Sequence, residues 1–111
     1  MTIQRGTTMS IFRQGDVLIE RVDTAIPAGA EKVKPDAGRV ILAYGEVTGH
    51  AHALDSRLAQ MYRWEGDELI EVKKGAVITH EEHAPIPLEP GVYRIRHQRE
   101  YHPQELRRVE D

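Results

Sequence analysis

The feature that most constrains this chain is a succession of short segments rich in Val, Ile, Leu and Tyr, each closed by glycine, proline or acidic turn residues. Apolar runs this short fall below the ten or twelve residues of a typical helix, and alternation within them sends side chains to two faces, as in β-strands. The runs cover residues 16–22, 39–44, 46–54, 61–64, 68–72, 76–80 and the alternating VYRIRHQREY after Gly91. Seven or so such strands predict an all-β single domain, a small barrel or sandwich, because closure or stacking removes exposed strand edges.

The connections read as turns. Gln14-Gly15-Asp16 leads into the first strand, residues 26–29 hold Pro27 and Gly29, and residues 32–36 form a polar, exposed loop. Val40-Ile41-Leu42-Ala43 is unbroken and predicts a strand covered on both sides. Glu65-Gly66-Asp67 predicts a hairpin, with glycine available for positive φ. HEEHAPIPLEPG, residues 80–91, has three prolines and predicts a loop or edge crossing. Two places have helical character: a turn over 55–60, and a short C-terminal helix over 103–109 with Pro103 in its first turn. Residues 1–8, before Met9, form a polar extension expected to be disordered, leaving 9–111 as one β-rich domain. Tyr62 and Trp64 share parity and are expected in the core.

Composition removes several function classes. The chain has no cysteine, so any metal must be held by nitrogen and oxygen. Its net charge is −3, with acidic and basic residues intermixed, which argues against nucleic acid as a partner. Arg94, Arg96, Arg99, Arg107 and Arg108, with Tyr93 and Tyr101, could suggest a phosphate-contacting patch. Arg94 and Arg96 read better as the solvated face of a strand, paired with glutamates across the sheet. No apolar run approaches the roughly 20 residues that span a bilayer, and the N-terminus lacks the h-region of a signal peptide, so the cytoplasm is the expected location.

The chemistry lies in six histidines: His50, His52, His80, His83, His97 and His102. In extended chain, residues two apart face the same way, so His50 and His52 within GEVTGHAHAL can aim both rings at one site. His80 shares parity with Ala76 and Ile78, and His97 with Tyr93 and Ile95, so both are expected to point inward. Converging neutral imidazoles from His50, His52, His80, His83 and His97 would suit a divalent transition metal, Zn, Fe, Ni, Cu or Mn. Asp55, Glu81 or Glu82 could add an oxygen ligand or hold a ligating ring. Glu46, Glu81 and Glu82 are candidate general bases beside a metal-activated water. HEEH at 80–83 is one residue short of the metalloprotease H-E-x-x-H, and its prolines deny it a helix.

The HAH pair behind a glycine resembles the cupins, small barrels that take a third histidine from a later strand. Here four residues rather than five separate Gly45 from His50, and Asp55 stands where a glutamate is expected. GEVTGHAHAL with THEEHAPI, PGVYR and QREY also resembles a family of small bacterial or phage-associated proteins of uncharacterised function, over residues 13–109. That resemblance implies no activity. The leading reading is a cytosolic metal-binding β-protein with its catalytic role open. The alternative is a non-enzymatic interaction module, accessory to a bacterial or phage system, whose histidines and arginines contact a protein partner. In either case an open strand edge would allow a homodimer.

Overall fold

The computed structural model describes residues 8–45 and 50–98. Ten strands follow one another: β1 (Thr8–Gln14), β2 (Val17–Val22), β3 (Glu31–Val33), β4 (Arg39–Tyr44), β5 (Ala51–Asp55), β6 (Ala59–Trp64), β7 (Asp67–Val72), β8 (Ala76–His80), β9 (His83–Leu88) and β10 (Gly91–His97). They form a six-stranded sheet, ordered β1-β2-β10-β7-β6-β3, and a four-stranded sheet, ordered β4-β5-β8-β9. Every pairing is antiparallel. The two sheets share one core without closing into a barrel, which selects the sandwich from the two architectures expected. No α-helix occurs among the described residues. The residues of the expected 1–8 extension other than Thr8, and the expected helix over 103–109, lie outside them. So do His102 and Glu46.

Alternation builds the core. Ile19 of β2, Leu54 of β5, Ile70 of β7, Ile78 of β8 and Tyr93 of β10 are almost wholly buried in one cluster drawn from both sheets. Ala59 and Met61 occupy the inner face of β6, which leaves Tyr62 and Trp64 half-buried on the other parity. The two aromatics therefore lie outside the core, and the Trp64 ring packs against Gly29 in the 27–30 turn. β4 is covered on one side only: Val40 and Leu42 are buried and Ile41 and Ala43 are partly open, with a register shift between Ile41 and Ala43.

Turn chemistry sets the registers. Glu65 and Gly66 both have positive φ, 50° and 84°, the pair of values a two-residue type I′ hairpin needs to match strand twist. Gln14-Gly15-Asp16 is more than a lead-in: it closes a hairpin between β1 and β2, with Gln14 opposite Val17. Strand β1, which precedes the first strand expected from the sequence, forms because Phe12 and Gln14 alternate inward with the core. Lys32 and Val33, expected in a loop, belong to β3 and pair with β6. The proline-rich 83–88 segment is an edge strand, since Pro85 and Pro87 cannot donate to a ladder but can lie on a sheet's margin.

On the outer face of the six-stranded sheet, Glu20 and Arg94 are register partners and form an ion pair at 2.9 Å, with Arg96 Nε 3.2 Å from the same carboxylate oxygen. The cross-strand pairing with glutamate is as expected, but Arg94 is buried rather than solvated. Burial pushes the Glu20 carboxyl upward; the bonds and charges of Arg94 and Arg96 outweigh it and hold it below its ordinary value of 4.5. A lowered native pKa means a stabilising contribution that is complete above 4.5 and disappears as pH falls through the native value. Removing Arg94 would leave the buried Glu20 carboxylate to Arg96 alone. Arg94→Met should cost about 1.5–3 kcal/mol in chemical denaturation, whereas Ile70→Ala should cost about 2–5 kcal/mol without altering acid sensitivity.

Candidate metal centre

The apolar inner faces give way to polar side chains at one end of the sandwich, and a cavity of about 1000 Å³ opens there between the sheets. The wall formed by the four-stranded sheet carries His52 from β5, His80 from β8 and His83 from β9. One ring nitrogen from each lies within 4.8 Å of the other two. Ring centroids are 4.3 Å apart for His52 and His80, and 4.6 Å for His80 and His83. His52 and His83 are nearly parallel at 5.7 Å.

His52 is the buried member, with 6% of its surface exposed. Its orientation is fixed by Gln14, itself buried. The Gln14 amide nitrogen donates to the carbonyls of Ile78 and Ala84, at 3.3 and 2.8 Å. That turns its oxygen toward His52 Nδ1, 2.8 Å away. Facing an acceptor, Nδ1 carries the proton and Nε2 is left with the lone pair. Holding a ring by its far nitrogen in this way is the usual support of a metal-ligating histidine. Burial, followed by the neighbouring His80 and His83, pushes the His52 pKa down to about 4. The ring therefore stays neutral and able to coordinate across the physiological range.

His80 is poised differently. Its Nδ1 accepts the backbone N–H of Glu82 at 3.0 Å. An ion bound at Nδ1 would take the lone pair from that amide. An ion bound at Nε2 would require the proton to sit on Nδ1, which then could not accept. Either way, engaging His80 releases the Glu82 amide, a net loss of about 1 kcal/mol.

Backbone closes the site from the hairpin side. Gly15 has φ +59°, and a Cβ there would stand 2.9 Å from His83 Nε2 and 3.3 Å from His52 Cε1. The turn glycine therefore serves both the hairpin and the space beside the rings.

The other candidates distribute around this group. His50 precedes β5, with its ring 5.9 Å from that of His80 and its Nδ1 3.5 Å from Glu82. The Glu81 carboxylate accepts the Ala51 N–H at 3.1 Å; its own backbone N–H and that of Ala51 hold it below the usual range. Asp55 lies at the far end of β5, bonded to Arg57. His97 lines the cavity from the six-stranded sheet, its Nε2 3.1 Å from Glu68. Gln14, Gly15 and Glu68 were not singled out as site residues from the sequence. The available signal for Gln14 was its place on the parity of Phe12, where an apolar residue would be expected.

A two-sheet β-sandwich with a histidine cluster at the mouth of its inter-sheet cavity is the class that fold and site define. The chain belongs to the family described as domain of unknown function DUF8820, whose model matches residues 13–98. No curated protein matches the chain, and neither does any solved structure. No helix among the described residues is long and apolar enough to cross a membrane.

Two outcomes follow for the metal-free protein. His52 should titrate near pH 4 by NMR. Because its native pKa lies below the ordinary 6.5, stability should decline as pH drops from there toward 4, by on the order of 2–3 kcal/mol. Gly15→Ala should destabilise by roughly 1–2 kcal/mol, the cost of a left-handed non-glycine residue, while the added methyl displaces the exposed His83 ring; shifted His83 ring resonances would show that displacement.

Proposed function

We propose that this protein binds a divalent transition ion through His52, His80 and His83, with zinc the best match. The observation that carries the reading is the convergence of three imidazoles, one of them buried and locked in a single tautomer by Gln14. An all-nitrogen set of neutral ligands suits zinc, which tolerates low coordination numbers and bonds histidine at about 2.0–2.1 Å. The three nitrogens would draw inward to roughly 3.3 Å of one another to meet a tetrahedral ion at that distance. Three protein ligands leave one position open, and here it would face the cavity, as catalytic rather than purely structural zinc sites do. Structural histidines are usually satisfied singly by backbone or carboxylate; three rings gathered with centroids 4.3 to 5.7 Å apart gain little from packing alone.

Protein purified untagged and without chelator should hold near-stoichiometric metal by mass spectrometry. His52→Ala and His83→Ala should each abolish it, and His50→Ala should retain it. Gln14→Leu should weaken binding about 10- to 100-fold. Absence of metal after reloading with Zn, Fe, Ni and Mn, or undiminished metal in His52→Ala, would refute the reading.

A further inference from the structure

The cavity has a second chemical pole on the wall formed by the six-stranded sheet. Arg63 of β6, Glu68 of β7 and His97 of β10 all line it, each on the parity that carries apolar residues deeper in the sandwich. Glu68 joins them: one carboxylate oxygen is 3.1 Å from His97 Nε2, and the other is 3.8 Å from Arg63 Nη2. In the neutral ring, donation from Nε2–H to the carboxylate leaves Nδ1 as the proton acceptor. This is the arrangement in which a carboxylate orients a general base and meets the charge of the imidazolium that forms. The pair stands in the same cavity as the triad, and His97 is close enough for its charge to depress the His52 pKa. A volume of about 1000 Å³ admits a small molecule between the two walls.

We propose that the cavity is a two-pole site for a small molecule bearing a weakly acidic hydroxyl: the ion takes the oxygen, and His97, positioned by Glu68, takes the proton. The proposal rests on the metal reading above. The step balances without a redox partner. The O–H bond would break heterolytically: the oxygen would keep the electron pair and share it with an ion held by His52, His80 and His83, and the proton would pass to the free nitrogen of His97, whose imidazolium would stand beside the Glu68 carboxylate. The same transfer from water would supply a nucleophile, so the chemistry that fits is hydrolytic or proton-transferring.

The test uses the full chain loaded with Co(II), whose visible spectrum reports the ion directly. Two probes are titrated by calorimetry at about pH 8. Acetohydroxamate must lose a proton to bind; azide is already an anion. His97→Gln should bind hydroxamate at least tenfold more weakly than the native protein, with azide affinity and Co(II) content unchanged. Glu68→Gln should weaken hydroxamate binding selectively while the azide-bound spectrum stays native. Equal hydroxamate affinity of native and His97→Gln protein, loss of both probes together, or a cobalt-loaded protein that does not bind hydroxamate would overturn the proposal. Failure of the native protein to take up Co(II) would instead remove the metal reading, and this inference with it.

Discussion

The side chain of Gln14 ties the molecule together. Buried at the end of β1, it bonds two carbonyls of the β8–β9 hairpin and one imidazole of β5, so a residue of the six-stranded sheet holds two segments of the other. Buried polar groups are tolerated only when satisfied, and here satisfaction admits one arrangement: both amide hydrogens go to carbonyls, and the oxygen goes to His52. The packing of one sheet on the other and the tautomer of a candidate ligand are thus set by the same three bonds. Apolar packing alone would bring the sheets together without specifying either.

The division between strands and turns was largely legible because it depends on local signals. Glu65-Gly66-Asp67 marked its hairpin, whereas Gly15 was legible only as the lead-in to a strand, and the apolar parity of 76–80 and 92–97 placed His80 and His97 on the faces that line the cavity. Residues 8–14 were harder to read: MSIFRQ has weak alternation, and only its pairing with β2 turns Phe12 toward the core. The aromatic pair Tyr62 and Trp64 misled because size suggested burial, whereas Met61 and Ala59 occupy that face.

The site was legible as residue types and not as an assembly. Short spacing made His50 and His52 look like the natural pair, yet His52 groups with His80 and His83, which are brought to it by the hairpin order β5-β8-β9. Strand order of that kind comes from long-range pairing and leaves no mark in the spacing of one sequence. The carboxylate partner of His97 was hidden for the same reason: Glu68 lies 29 residues away along the chain and meets it only because β10 pairs with β7.

The origin of the three rings also affects how the protein would be made. His80 and His83 flank a single tight turn and come together as soon as that hairpin forms, while His52 reaches them only once β5, more than twenty residues earlier in the chain, has paired with β8. A metal ion present during synthesis would find the adjacent pair first, before a core exists to choose its geometry. Closure of the loop that delivers His52 would then complete a coordination sphere already half built. The ion would act on the order of folding as well as on the finished structure, holding the β8–β9 turn ready for the rest of the chain.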